Sequence, residues 1–465
     1  MASLVTLACL IGAAIPLYIL VAGEGVVKLL ALPAAVVLGY LFFFARKLLF
    51  VLIMVSRATI NPIIETARFA PFLGLGAALN ALMILMAILL ALERPRGVLR
   101  AVVPIWLPLV AVMVVAALRA PELAQGVRTF MSYMTYVAAF AVPFCMKECQ
   151  KDMRFCIRLI LVSSLIPCLY GFFDFAVNAC GRGDNRICST FEHPNIYAFY
   201  LVTVISLVFY MLKSSLMRIT TSQRWMLAAY MGILMVLLLL TKTRSAWAAC
   251  IVMFVVYGLL FERRYLVYVA VVGAIALLFP VVQERLTDLE SGPRFWTAIP
   301  GNSYEWRKMI WESAWNWMAP NSLVLGYGLD SFTYHSVEFF NLAYGIRRGA
   351  HNVYMQWLFE TGIVGLLCAA WLYFRIFALL RRGMKHDRLG TAIVITVMAE
   401  YLVISYSDNM LGYLAFNWYY WFVLGTACAI VMEQEARSAE PGAKVGVSSG
   451  GPPPVPVLSM NRSPQ

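Results

Sequence analysis

The chain has 465 residues, of which 62% are hydrophobic and 13% charged. Soluble domains carry about 25% charged residues, so a water-soluble globule of this composition would expose aggregating apolar patches, whereas a lipid-embedded one would not. The formal charge of +13 does not point to nucleic acid: Lys and Arg come in short clusters between apolar runs, as the positive-inside rule arranges them.

The apolar runs, in chain order, are Ser3–Val21, Val26–Phe44, Pro71–Ala91, Ala101–Leu118, Phe130–Phe144, Cys156–Val177, Ile196–Leu212, Trp225–Leu240, Ala246–Phe261 and Leu266–Val282, then Gln356–Phe374, Thr391–Ser407 and Leu411–Met432. A span needs about 20 residues, so the shorter runs must borrow flanking ones. Leu48–Val55 is either half of a hairpin or part of a kinked helix. The opening Met1–Leu20 lacks a basic n-region and a clear cleavage site and reads as a retained helix. The expected fold class is therefore all-α, a polytopic transmembrane bundle of about 12–14 spans with one large periplasmic loop. It divides into N-terminal spans (1–150), spans with polar motifs (151–282), the large loop (283–355), C-terminal spans (356–432) and a Gly/Pro/Ser-rich, disordered cytoplasmic tail (433–465).

Placing the clusters Arg94/Arg96/Arg100, Lys147/Lys151/Arg154, Lys213/Arg218/Arg224, Arg263/Arg264 and Arg381/Arg382/Lys385/Arg388 inside gives a consistent alternation. It puts Asn178–Asn195, Thr241–Arg244 and Gln283–Met355 outside, together on one face. The last interval holds Trp296, Trp306, Trp311, Trp315 and Trp317. Around Glu305–Met318 it patterns as an amphipathic helix near the membrane surface.

Three polar constellations fall on that face. In Arg186-Ile-Cys-Ser-Thr-Phe-Glu192-His193-Pro194-Asn195, Pro and Asn could simply start a helix, while Arg and His beside a helix N-terminus could bind phosphate. In Thr241-Lys-Thr-Arg244-Ser-Ala-Trp247, the cations could snorkel to headgroups. Two cations on the outer side nevertheless break the positive-inside bias, and a planar guanidinium binds two diphosphate oxygens at once. In His351-Asn352-Val-Tyr-Met-Gln-Trp-Leu-Phe-Glu-Thr-Gly362, His351 is either an ordinary interfacial residue or a general base. Glu305-Trp-Arg307 adds another outer Arg–carboxylate pair. No zinc-type His or Cys spacing, nucleotide loop or serine-hydrolase elbow is present. Cys180 and Cys188 bracket a short outer loop and could pair in an oxidising compartment, which spacing alone leaves open.

The ordered set of Arg186…Thr190-Phe-x-x-Pro194-Asn195, Thr243-Arg244-Ser-Ala-Trp247 and Gly326-Tyr-Gly…His351-Asn352…Gly362-Ile-Val-Gly365 resembles the O-antigen ligase and polymerase superfamily of bacterial membrane glycosyltransferases. The resemblance covers roughly residues 154–365. It implies a multi-pass inner-membrane enzyme, similar to C-type glycosyltransferases, with its active site facing the periplasm. Such an enzyme takes a glycan from an undecaprenyl-diphosphate-linked donor and passes it to a glycan or lipid A core acceptor. No cofactor, metal or nucleotide sugar is implied, and other polysaccharide-assembly proteins are conceivable partners. Carried over, Arg186 and Arg244 bind the diphosphate and His351 activates the acceptor hydroxyl, with His193, Asn195, Arg307 and Asn352 in support. The Trp-rich loop offers faces for sugar stacking. Ser189 departs from the family pattern, where many relatives have Gly, and Glu192-His193 is not a general family feature. Polymerase is slightly preferred to ligase on the Phe191-Glu-His-Pro-Asn195 segment. Rivals of other classes are a flippase or transporter for the same glycan, which needs charges along a central cavity, and a non-catalytic assembly subunit, which needs none of the three sites.

Overall fold

A computed structural model describes residues 36–62, 68–70, 73–181, 185–280, 282–283 and 303–439. The run Ser3–Val21, the start of Val26–Phe44, Trp296 and the tail beyond Ala439 lie outside these residues. Within them the chain is mainly helical, and its strands are an antiparallel pair, Arg68–Ala70 with Leu73–Gly74. Seven helices are long and apolar enough to cross a membrane: Leu75–Glu93, Pro95–Leu118, Arg154–Val177, Pro194–Lys213, Thr221–Leu240, Val353–Gly383 and Leu414–Ala439. Arg244–Leu260 and Arg264–Ala276 are shorter apolar helices. This is an all-α, multi-pass membrane protein.

By length and apolarity, fewer helices qualify here than the 12–14 spans expected. The first two runs fall largely outside the described residues, Leu266–Val282 yields only thirteen helical residues, and Phe130–Phe144 becomes Leu123–Ala141, whose first turns carry Gln125 and Arg128. Leu48–Val55 belongs to a kinked helix: residues 36–44 are helical, Ala45 breaks the geometry (φ −140°, ψ 47°), and Arg46–Arg57 continues. The last helix runs past the expected boundary at Met432 to Ala439.

Local chemistry sets the helix ends. Thr220 and Gln223 form a reciprocal capping box at the start of Thr221–Leu240. Asp387 accepts from Gly390 N–H at the start of Arg388–Ile404. Pro194–Lys213 and Leu414–Ala439 are the most enclosed spans and face their neighbours with rings: Tyr200 lies 5.0 Å from Tyr419, and Tyr401 stacks on Tyr420 at 4.2 Å. The bundle therefore has a core of its own, distinct from its lipid-facing surface.

The large loop is a folded cap with a second core. Ser303–Trp317 and Ser331–Phe339 bury Ile310, Ala314, Phe332 and Phe340 against Phe359. The run expected as a single span from Gln356 is broken at Gly362, whose φ of 67° and ψ of −169° interrupt Val353–Gly383. The break frees carbonyls, and the Gly326-Tyr-Gly turn takes them: Tyr327 N–H donates to Phe359 O and Gly328 N–H to Glu360 O, both at 2.9 Å. A β-carbon on Gly362 would sit 2.2 Å from Val324 O, and one on Gly326 2.4 Å from the Glu360 carbonyl carbon. These glycines of the motif serve docking between cap and helix.

Candidate functional site

Residue 174 is the lone acid in its apolar run, and its carboxylate is buried. It accepts three backbone N–H groups: Cys180 at 2.7 Å, and Cys188 and Ser189 at 2.8 Å each. Cys180 and Cys188 are joined in a disulfide, with Cα atoms 5.7 Å apart. Their sulfurs and the Asp174 carboxylate lie within 4.8 Å of one another, but every donor is already used, so the group staples a loop and is not a metal site. Ser189 holds a left-handed backbone (φ 53°) and donates Oγ to Pro167 O at 2.6 Å. That conformation is one that glycine adopts without a β-carbon penalty.

The stapled loop delivers Arg186 to the turn at residues 241–243. Its Nε donates to Thr241 O at 2.9 Å, and its Nη2 donates to Asn195 Oδ1 at 2.7 Å and Thr243 Oγ1 at 2.9 Å. Arg244 follows directly as the first residue of Arg244–Leu260. The first two constellations are thus one structure. Asn195 extends it by donating Nδ2 to Asp408 Oδ2 at 2.7 Å, and Tyr413 donates its hydroxyl to Asp408 Oδ1. Asp408 is buried. Arg307, from the cap, donates to the carbonyl of the adjacent Ser407.

His351 joins from the third constellation. Its backbone is left-handed (φ 48°), its ring lies edge-on to Trp306 with centroids 6.2 Å apart, and its Nδ1 is buried without a hydrogen-bond partner. Burial pushes its pKa below the usual 6.5; Arg307 and Arg348 push the same way and Asp408 opposes them. The imidazole is therefore neutral near pH 7, the form a general base requires.

Two supporting residues have structural duties. His193 accepts Asn195 N–H on Nδ1 at 3.1 Å and caps Pro194–Lys213, the plainer of its two readings. Asn352 accepts Met355 N–H at 3.0 Å as the cap of the helix after His351. Nor do most of the cap's tryptophans stand open for sugars. Trp311 donates its indole N–H to Ala350 O at 2.6 Å, and Trp317 stacks on Phe359 at 5.7 Å. Trp306 packs against Phe340, while Trp315 is exposed.

The sequence reasoning missed Asp174, Asp408, Tyr413 and Arg348, whose buried Nε lacks a hydrogen-bond partner. Asp174 was legible as a carboxylate inside an apolar run. Asp408 was legible as an acid between the last two runs, on the face already holding the motifs. It also passed over Arg57, buried over the Trp418 ring at 5.3 Å. The neighbouring Ala58 carbonyl accepts from Thr190 at 2.7 Å.

The molecule is thus a multi-pass membrane protein with a cationic polar site gathered at one end of its bundle. Residues 229–370 match the family described as O-antigen ligase. The match takes in Thr243-Arg244, the cap, His351 and Gly362, and supports the O-antigen ligase superfamily and, in general terms, a membrane glycosyltransferase of the ligase/polymerase type. No curated protein matches the chain.

Proposed function

We propose that the protein transfers a glycan from an undecaprenyl-diphosphate-linked donor to an acceptor hydroxyl at the periplasmic face of a bacterial inner membrane. The observation that carries this reading is the meeting of Arg186, the 241–244 turn, Asp408, Arg307 and His351 at one end of the bundle. In the transfer, the acceptor oxygen bonds to the anomeric carbon as the bond from that carbon to the diphosphate oxygen breaks. The hydroxyl proton passes to neutral His351, and Asp408 stabilises the imidazolium that forms. Arg244 and Arg186 neutralise the departing diphosphate, with Arg307 and Arg348 adding positive potential. The guanidiniums supply the positive charge that the leaving diphosphate requires. Asn195 and Thr243 hold the Arg186 plane in place. The clustering of charge at one end favours this chemistry over a flippase, which needs charge along its path. A further glycan as acceptor makes the protein a polymerase. A lipid A core acceptor is the second reading, favoured by the matched family's description as O-antigen ligase.

The test is His351→Ala in a reconstituted assay that follows turnover and donor binding together. Turnover should fall on the order of a hundredfold or more, the scale of general-base loss, with donor binding retained. Lost binding in a folded protein makes His351 a donor ligand; unchanged turnover removes it from the site.

A further inference from the structure

The end of the bundle remote from the polar site holds a cleft of about 620 Å³ between Arg154–Val177 and Thr221–Leu240. That volume is in the range of small-molecule sites. Arg154, Arg158 and Arg218 line its mouth, and apolar side chains from the two helices form its walls. Arg154 is engaged: it donates Nη2 to Leu216 O at 2.8 Å, and its Nε lies 3.9 Å from Asp152. Arg158 and Arg218 are exposed and make no hydrogen bond or ion pair with the described residues. Below them the stripe Leu161–Leu165 faces Met226 and Ile233. Leu165 is 49% and Met226 68% exposed in the isolated chain, surface that water would not tolerate. Tyr230 seals the floor by bonding Ser164 Oγ at 2.6 Å.

We propose that this cleft binds an anionic phospholipid from the membrane leaflet opposite the polar site. The Arg158 and Arg218 guanidiniums would hold the phosphodiester, and one acyl chain would run down the stripe. Arg158 and Leu165 lie seven positions apart, roughly 10 Å along the helix, enough to pass from headgroup depth into hydrocarbon. Charge complementarity selects the head: positive clusters at a membrane surface attract anionic lipid. The exposed apolar walls select a lipid over a soluble phosphate, since only an acyl chain covers them. Binding here is independent of the transfer chemistry and uses none of its residues.

The full-length protein, purified in detergent, delipidated and then given phosphatidylglycerol or phosphatidylcholine, is read by native mass spectrometry. One phosphatidylglycerol should be retained in preference to phosphatidylcholine. Arg158→Gln with Arg218→Gln should weaken retention on the order of tenfold. Arg158→Lys with Arg218→Lys should keep most of it, which also shows that the fold tolerates change there. Arg263→Gln with Arg381→Gln, exposed cations of other clusters, should have no effect. Ala229→Trp, which narrows the cleft and leaves every arginine in place, should also cost the lipid. The proposal is overturned if the Arg263/Arg381 variant loses as much lipid, if phosphatidylcholine binds equally, if Ala229→Trp changes nothing, or if inorganic phosphate displaces the lipid at equal concentration.

Discussion

Arg186 and Arg158 belong to opposite ends of the bundle. Arg158 lies one turn into Arg154–Val177, and Arg186 is carried by the loop stapled to Asp174 near that helix's other end, roughly 24 Å further along it. Arg186 enters a ready-made set of acceptors, two side-chain oxygens and a carbonyl. Arg158 and Arg218 stand over an apolar cleft and have no protein acceptor among the described residues. The first arrangement fixes a guanidinium plane, which directed chemistry needs. The second leaves the cation free to meet a headgroup, where charge matters more than angle. Residue type alone does not separate these uses; the partners do.

The most damaging way to break the contrast is to remove the staple. Asp174→Ala strips acceptors from three N–H groups, each costing about 1–3 kcal/mol when left unpaired. The loop carrying Arg186 should loosen, turnover should fall to background, and thermal unfolding should shift down by several degrees. Lipid retention at the far end should survive. Proteolysis across residues 178–195 provides the local readout. If turnover and loop protection hold, the disulfide alone secures the loop.

Next comes fork geometry. Arg186→Lys keeps the charge but loses the planar fork that reaches Thr241, Asn195 and Thr243 together, and Arg244→Lys loses two-point contact with a diphosphate. We expect each to cut turnover about a hundredfold, the scale of losing an oriented charge-stabilising donor, at normal membrane levels. The lysine pair at positions 158 and 218 should remain close to wild type in lipid retention. Full activity of Arg244→Lys would reduce Arg244 to a headgroup anchor.

The alternation of apolar runs and cationic clusters made most of the bundle legible, because hydropathy and charge placement are properties of the chain itself. The three polar segments were also legible, and two of them meet directly in space. The break at Gly362 was not, because glycine in an apolar helix carries no signal until the loop that bonds the freed carbonyls is known. Nor were the tryptophans: aromatic residues read alike whether they face a sugar or fill a core. Asn352 and His193 each cap a helix in the fold, a duty that polar residues at a helix entry commonly carry.

A smaller effect isolates Asp408. Its negative charge holds the pKa of His351 up against burial and the two arginines. Asp408→Asn removes that charge and keeps one oxygen acceptor, so Asn195 or Tyr413 retains its bond while the other meets the amide NH2. The His351 pKa should drop further, so more of the ring is neutral at any given acidic pH. The acid limb of the pH–rate profile, where protonation switches the base off, should move to lower pH. The plateau should fall about tenfold, because the imidazolium formed in transfer loses its counter-charge. A limb that stays in place would separate Asp408 from His351.

The mildest test concerns Ser189, whose side chain sits on a left-handed backbone. Its left-handed φ of 53° costs a β-carbon-bearing residue about 1–2 kcal/mol, and its Oγ–Pro167 bond returns about 0.5–1.5 kcal/mol. Ser189→Gly relieves the first term and loses the second, while adding chain entropy in the unfolded state. Pro167 O keeps its bond from Tyr197 at 3.2 Å, so no carbonyl is stranded. These contributions nearly cancel, and the variant should unfold within about 1 kcal/mol of wild type with unchanged turnover. Ser189→Ala keeps the β-carbon and loses the bond, so it should be the least stable of the three. Thermal unfolding in one detergent, at fixed lipid, ranks them. Alanine matching serine would mean the hydroxyl contributes nothing, and the loop would then rest on Asp174 and the disulfide alone.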